Sequence, residues 1–226
     1  MGRTSQFWAI NVFKNVLQNK LPMHQAPLPF PQAPMTSLPT LILASQSPRR
    51  AELLKRLSIP FEARPADIDE ESLGHLEPAP MAEALAAKKA QTIWQPGQWV
   101  LAADTVVALD TEVLGKPRSP EENKAFLHRL SGRTHTVYTG FAIQQPEGHL
   151  HSEVVEAKVA FRDLQEWELE WYASSGEGLD KAGGYGAQGL GMVLIERIEG
   201  DFYTVMGLPV SRVWQRLYQL GYFGQR

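Results

Sequence analysis

The order of hydrophobic and polar residues along positions 38–226 predicts a mixture of strands and helices. Apolar runs predict strands over residues 41–44, 100–114 (one or two strands around a turn at Asp110), 134–144, 149–161, 192–198 and 203–206. Apolar residues on one helical face, and good helix formers, predict helices over residues 48–57, 80–93, 120–130, 164–173 and 210–220. A Pro-Glu-Gly turn at 146–148 joins two strands as an antiparallel hairpin, so we expect an α/β fold with a mixed sheet.

The first 37 residues differ from the rest of the chain. Five prolines between Pro22 and Pro34 exclude a helix or a central strand there, which predicts an extended linker or disordered tail. Residues 7–21 have the spacing of a short, weakly amphipathic helix. Three interpretations are open: a transit-type presequence, a helix for a membrane surface or a partner, and sequence upstream of a true start at Met35. The predicted organisation is a tail over residues 1–37 and one domain over residues 38–226.

Composition and charge exclude several classes of protein. The chain has 226 residues, 43% of them apolar, no cysteine and a formal net charge of -3. The absence of cysteine excludes a disulfide framework, a thiolate zinc site and a cysteine nucleophile. The acidic balance argues against binding to long nucleic acids, and no apolar run approaches the about 20 residues of a membrane span. We therefore expect a cytoplasmic globular protein, either an enzyme or a binding module.

Residues 45–50 follow the first predicted strand and begin the first predicted helix. Ser47 is placed as the N-cap and Pro48 as the first helical residue, where free amides and the Ser45 hydroxyl favour an anion. Arg49 and Arg50 lie in the first turn, where the helix dipole disfavours cations. Two cations in that place suggest a polyanionic ligand. The alternative is a solvated arginine pair on a surface helix.

Asp104 stands inside an apolar strand. Because burial of an unpaired charge is costly, this carboxylate needs a cationic partner. It is a candidate metal ligand or general base. The alternative is a buried salt bridge with Lys89 or Lys116.

Residues 184–189 spell G-x-G-x-x-G, but no strand precedes them and no helix follows. We predict a ligand-binding loop that carries Lys181 and Gln188, with an ordinary mobile loop as the alternative. The acidic run at 67–71 is typical of a solvated turn, although near an anionic ligand its carboxylates can hold Mg²⁺. Trp167 and Trp171, four residues apart, are interpreted as core or dimer contacts.

A series of short segments occurs in a fixed order along the chain: LILASQSPRR at 41–50, DIDE at 67–70, KKA at 88–90, ADTVV at 103–107, GKP at 115–117, LSG at 130–132, DKAGGYGAQG at 180–189 and GLP at 207–209. Together they resemble the Maf family of nucleotide pyrophosphatases over residues 38–222. The resemblance implies an elongated mixed α/β sheet with flanking helices and a central nucleotide cleft, as in the inosine triphosphatases. It also implies a divalent metal cation, Mg or Mn, and a homodimer.

The resemblance further implies hydrolysis of a nucleoside triphosphate to the monophosphate and pyrophosphate. Asp104 matches the family's catalytic proton acceptor, and Asp104 with Glu70 or Asp69 is our hypothesis for the metal site. The remaining matches are phosphate-cleft residues (Ser45, Arg49, Arg50, Lys89 and Lys116) and base-selecting residues (Arg49, Thr105 and Gln188), with Lys181 as a further cation for the triphosphate. The S-P-R-R, A-D-T and A-Q-G segments resemble the branch that acts on dTTP and UTP, with CTP and modified uridine triphosphates as possible further substrates.

Two other functions stay open at this point. One is a nucleotide-binding regulator of septum formation with little catalysis, because it would share the same cleft. The other is a phosphohydrolase that removes the terminal phosphate.

Overall fold

One seven-stranded sheet organises residues 38–224, the part of the chain that the computed structural model describes. The strands are β1 (Leu41–Leu43), β2 (Phe61–Ala63), β3 (Trp99–Leu109), β4 (Glu112–Leu114), β5 (Thr134–Gln144), β6 (Leu150–Phe161) and β7 (Ile195–Gly200). Their order is β2-β1-β3-β5-β6-β7, and β4 also pairs with β3. β1 is parallel to β2 and β3, and the other pairs are antiparallel, which confirms the predicted mixed sheet.

Six α-helices are described within residues 38–224: α1 (Pro48–Arg56), α2 (Pro78–Ile93), α3 (Pro120–Leu130), α4 (Glu166–Ser174), α5 (Phe202–Met206) and α6 (Val210–Gln219). Five of them match predicted helices to within a few residues. Ser119 caps α3, since its hydroxyl accepts from the N–H of Glu122 (3.2 Å). No helix in the described range is both long and apolar enough to cross a membrane.

Two sequence predictions of strands are wrong. Residues 203–206 lie in helix α5, because the Asp201 carboxylate accepts from the N–H groups of Tyr203 (3.1 Å) and Thr204 (3.2 Å), and left-handed Gly207 ends the helix. Within 192–198, only residues from Ile195 onward form a strand, after a 3₁₀ turn at Leu190–Val193. Short apolar runs do not distinguish these structures by periodicity. The predicted helix at 7–21 falls outside the described residues.

The two faces of the sheet carry different helices. Leu101 and Ala103 pack in one core cluster with α1 and α6, whereas Val100 and Ala102 pack in another with α2. Side chains alternate along a strand, so Thr105 belongs to the α1 and α6 face and Asp104 to the α2 face. Neighbouring residues of β3 therefore meet different helices.

One edge of β3 is open in the middle. β5 pairs with β3 from Val100 to Ala108 along the other edge. On the open edge, β1 covers Trp99–Leu101 and β4 covers Val107–Leu109. Between them, no described strand pairs with residues 102–106 on this edge, and the resulting gap exposes the segment that contains Asp104 and Thr105.

Trp167 and Trp171 do not belong to the core. Trp167 is 67% exposed and Trp171 is 41% exposed, while Leu169 and Tyr172 bury the inner face of α4. The interpretation of these tryptophans as core residues is therefore wrong.

Candidate active site

The gap beside β3 opens into a cleft with a volume of about 790 Å³. Apart from Asp69, the predicted site residues all line it: Ser45, Arg49, Arg50, Glu70, Lys89, Asp104, Thr105, Lys116, Lys181 and Gln188. They come from the loop after β1, the start of α1, the acidic run, α2, β3, the loop after β4 and the glycine-rich loop. The fold thus brings together residues up to 143 positions apart in the chain, and their individual roles stay predictions.

The start of α1 has the predicted geometry. Ser47 is the N-cap, with its hydroxyl accepting from the N–H of Arg50 (3.5 Å), and Pro48 is the first helical residue. The Ser45 hydroxyl accepts from the N–H of Ser47 (3.1 Å). Arg49 extends toward the glycine-rich loop, where its Nη1 lies 3.9 Å from Oδ2 of Asp180. Such an exposed pair contributes little energy and can yield to a stronger anion.

The half-buried guanidinium of Arg50 is held by three hydrogen bonds. Its Nε donates to the carbonyl of Gly207 (2.7 Å), Nη1 to the hydroxyl of Ser45 (3.2 Å) and Nη2 to the hydroxyl of Thr105 (3.1 Å). Burial lowers the pKa of Arg50, and the charge of Asp104 partly offsets this. A guanidinium has five N–H groups, so the remaining ones are available to a ligand in the cleft.

Asp104 and Glu70 share the ammonium group of Lys89. Nζ of Lys89 donates to Oδ1 of Asp104 and to Oε1 of Glu70, the latter at 2.6 Å. Asp104 and Lys89 are each only 13% exposed, so their charges meet largely out of water. The salt bridge predicted as an alternative for Asp104 is therefore present with Lys89, while none is formed with Lys116.

The charge on Glu70 is favoured by its surroundings. Burial raises the pKa of this carboxyl, but the hydrogen bond and charge of Lys89, together with Lys116 and Arg50, outweigh burial and hold the pKa below its usual range. Asp69 has a different position, since its Oδ1 accepts from the N–H of Glu71 (3.1 Å) in a turn. Of the two alternative metal ligands, Glu70 is the one that lines the cleft.

A close approach between α2 and the sheet sets the position of Lys89. Gly140 of β5 lies directly opposite Asp104 of β3. A Cβ atom on Gly140 would be 2.2 Å from the carbonyl oxygen of Ala82 in α2. The helix can therefore contact the sheet beside Asp104 only because residue 140 has no side chain.

Glu177, which the sequence analysis missed, organises the glycine-rich loop. Its carboxylate accepts from the N–H groups of Leu190 (2.8 Å) and Gly191 (3.1 Å) and from the hydroxyl of Tyr172 (2.9 Å). Burial raises the pKa of Glu177, but these hydrogen bonds outweigh burial and lower it. Glu177 precedes Leu190 by thirteen residues, and no local sequence pattern indicates that the two are in contact. The contact is seen only in the folded loop.

The glycine-rich loop presents two side chains at the cleft. Lys181 donates to the carbonyl oxygen of Glu177 and pairs with the exposed Asp180. Gln188 is exposed and makes no hydrogen bond within the described part of the chain. Lys116, in the loop after β4, is also exposed and has no ion-pair partner among residues 38–224.

A buried histidine contacts a tyrosine of the glycine-rich loop. Nε2 of His135 lies 2.7 Å from the hydroxyl oxygen of Tyr185, a residue of the loop that lines the cleft. Burial lowers the pKa of His135 to about 4, so its ring is neutral near pH 7.

The described residues do not form a metal site from protein ligands alone. Within residues 38–224, no group of three or more His, Asp or Glu side chains is arranged to hold a metal ion. The two carboxylates on Lys89, those of Asp104 and Glu70, are the cleft's converging oxygen donors.

Comparison with known proteins agrees with the motifs. A family model described as "Maf-like protein" matches residues 40–220. The chain is 58% identical over 184 residues to the dTTP/UTP pyrophosphatase of Thermus thermophilus, covering 81% of this chain and 96% of that protein. It is 47% identical over 184 residues to the dTTP/UTP pyrophosphatase of Syntrophus aciditrophicus, covering 80% of this chain and 90% of that protein.

Among solved structures, the Ham1 protein of Staphylococcus aureus aligns with 79% of this chain and 98% of its own, at 13% identity and a TM-score of 0.44. The family model spans most of the chain, and the two curated relatives align over nearly their whole length. The chain therefore belongs to the family of Maf-like proteins.

Proposed function

We propose that this protein hydrolyses nucleoside triphosphates, with dTTP and UTP preferred, to the monophosphate and pyrophosphate. The observation that carries the proposal is the cleft itself, whose lining combines five cationic side chains with a largely buried carboxylate that contacts one of them. The cations are Arg49, Arg50, Lys89, Lys116 and Lys181, and the carboxylate is that of Asp104. The curated names of the relatives, dTTP/UTP pyrophosphatase, support the substrate and argue against a regulator without catalysis.

The cations differ in how easily they can bind phosphate. Lys116 has no ion-pair partner within residues 38–224, and Asp180, the partner of Arg49 and Lys181, is 66% exposed. Arg50 is fixed by its three hydrogen bonds and still has free N–H groups. A triphosphate can therefore replace the exposed Asp180 as the partner of Arg49 and Lys181, and contact the Arg50 guanidinium, which is already oriented.

Asp104 is the proposed general base. One carboxylate oxygen, Oδ1, is held by Lys89, while Oδ2 has no hydrogen bond within the described chain. In our proposal, Oδ2 accepts the proton of a water molecule as that water attacks the α-phosphorus. The bond from this phosphorus to the bridging oxygen breaks, and pyrophosphate leaves. The cations on the phosphates stabilise the negative charge that moves onto the leaving group.

A divalent cation fits the donor set of this cleft. Asp104 and Glu70 both reach the same ammonium group, so their oxygens already converge on one positive charge. Mg²⁺ is commonly bound by one or two carboxylates together with substrate phosphates. When bound, it supplies positive charge for the phosphates and polarises the attacked group. We expect Asp69→Asn with Glu70→Gln to change the dependence of activity on Mg²⁺ concentration, and an unchanged dependence contradicts this assignment.

We propose that Gln188 recognises the base of the nucleotide. Its amide presents both a donor and an acceptor, which match the N3–H and O4 groups of uracil and thymine. The change Gln188→Glu removes the donor, so we expect the preference for dTTP and UTP to fall while the thermal midpoint stays unchanged. An identical substrate profile in the variant contradicts the assignment.

The decisive experiment is a panel of nucleoside triphosphates with analysis of both products. Monophosphate with pyrophosphate supports the proposal, whereas diphosphate with orthophosphate indicates removal of the terminal phosphate. Tight binding of dTTP without turnover indicates a regulator instead. The same panel on a chain that begins at Met35 tests the proposed start of the protein, because we expect residues 1–34 to be dispensable.

A homodimer and a cytoplasmic location complete the proposal. Trp167 and Met192 are 67% and 62% exposed, which is unusual for large apolar side chains. We propose that such side chains are covered by a second copy. Sedimentation of the wild type and of Trp167→Glu tests this, since the variant should sediment as a smaller species. The cytoplasmic location follows from the proposed substrates, which are intracellular nucleotides.

A further inference from the structure

A series of hydrogen-bonded hydroxyl groups begins at the guanidinium of Arg50. Thr105 of β3 and Thr139 of β5 are directly opposite each other in the antiparallel register, and their Oγ1 atoms are 3.0 Å apart. Thr139 is fully buried, and its hydroxyl donates to the carbonyl oxygen of Thr204 (2.8 Å). The series therefore runs from the guanidinium through two hydroxyl groups to the backbone of α5.

The partners fix the position of each hydroxyl proton. A guanidinium can only donate, so Oγ1 of Thr105 is the acceptor for Arg50. A carbonyl oxygen can only accept, so the proton of Thr139 is directed at Thr204. Each hydroxyl has a single proton, and Thr105 must therefore donate its own to Thr139. Thr105 keeps one free lone pair and has no proton for a ligand.

We propose that Thr139 is a specificity-determining residue, because it makes Thr105 solely an acceptor toward the base of the nucleotide. This rests on the proposed function, in which Gln188 contacts a pyrimidine base, and on the assignment of Thr105 as a second base-selecting residue that the family resemblance implies. Uracil and thymine present an N–H donor at N3, whereas cytosine presents an acceptor there. The Thr105 hydroxyl can only accept, so it complements the N3–H of uracil and thymine. With cytosine, the same hydroxyl oxygen faces the N3 acceptor, and no hydrogen bond forms.

Thr139→Val isolates this effect, because the neighbouring groups keep other partners. Arg50 still donates to Gly207 and Ser45. The carbonyl oxygen of Thr204 still accepts from the N–H of Gly207 (3.0 Å). Valine has nearly the shape of threonine, so the main change is that the proton of Thr105 becomes free to rotate toward the ligand.

The test compares kcat/KM for UTP with kcat/KM for CTP, from pyrophosphate release by the full chain. We expect Thr139→Val to lower the UTP-to-CTP ratio about tenfold, the value of roughly one hydrogen bond. Thr139→Ser keeps the hydroxyl and should keep the wild-type ratio. An unchanged ratio in the valine variant overturns the proposal, and so does an equal fall in the serine variant, which would indicate a packing effect.

Binding separates this proposal from the proposed function. Calorimetry with α,β-methylene analogues of UTP and CTP measures the same ratio without hydrolysis. If the wild type releases no pyrophosphate, the proposed function fails, while the ratio of binding constants in Thr139→Val still decides the role of Thr139. If that variant does not fold, Thr105→Val takes its place. Its loss of the acceptor must lower the ratio, and an unchanged ratio overturns the proposal.

Discussion

Replacing Gly140 with alanine tests how the packing of α2 supports the chemistry. The new Cβ would lie 2.2 Å from the carbonyl oxygen of Ala82 and 2.5 Å from the backbone nitrogen of Glu83. Ordinary contact begins near 3.4 Å, so α2 must move away from the sheet by about 1 Å. Such overpacking against backbone costs about 2 kcal/mol. For a domain of this size, the thermal midpoint should fall by about 4–8 °C.

The same movement should affect catalysis. Lys89 lies on α2, and its ammonium group contacts Asp104, the residue opposite Gly140. A displacement of about 1 Å at a catalytic group can lower the rate by up to about 100-fold. We therefore expect Gly140→Ala to lower kcat for pyrophosphate release much more than its loss of stability explains at 25 °C.

Two controls separate packing from charge. Gly115→Ala meets no atom within 4 Å, so its thermal midpoint should equal that of the wild type. In a Lys89→Met background, Gly140→Ala should still lower the midpoint but should have little further effect on kcat, because the contact is already absent. A Gly140→Ala protein with wild-type stability and kcat would refute the packing argument.

Three further predictions concern single side chains. Asp104→Asn should leave triphosphate binding measurable by calorimetry and lower turnover at least about 100-fold, and a near-normal rate would mean that another group is the base. Glu177→Gln should loosen the glycine-rich loop and raise KM for dTTP several-fold, whereas an equal KM would show that the loop does not need this carboxylate. His135 has a pKa of about 4 in the folded state and about 6.5 when unfolded, so the unfolded chain binds the extra proton and stability is lost as pH falls between these values. From pH 7 to pH 5 the loss due to His135 is about 2 kcal/mol, and His135→Gln should reduce the measured difference by that amount; the same difference in both proteins would assign the acid sensitivity to other groups.

The sequence predicted the long elements and the members of the cleft. The apolar runs over 134–144 and 149–161 and the helical pattern over 120–130 follow from local rules, and β5, β6 and α3 are observed there. The sequence predicts a strand at 203–206 because these residues are mostly apolar and two of them are β-branched, as is typical of strands. The Asp201 cap and the left-handed Gly207 decide the structure of this segment, which is helix α5.

Other features could not be predicted, because they depend on contacts between distant segments. Nothing about Thr139 distinguishes it from any threonine in a strand until the register of β3 and β5 places it opposite Thr105. Gly140 has no special backbone requirement along its own strand, and its importance comes from the distance to α2. Glu177 acquires its partners only when the glycine-rich loop folds over it.

The alternation of side chains along β3 has a consequence for how enzymes of this architecture can diverge. Asp104 meets α2 and its lysine, whereas the next residue, Thr105, meets α1 and the series of hydroxyl groups on the other face. In the proposed function, substitutions on the Thr105 face alter base selection while the contact between Lys89 and Asp104 on the other face stays in place. If these proposed roles hold, related proteins can acquire new substrates through a few changes on one side of β3 while they keep the lysine and aspartate pair on the other side.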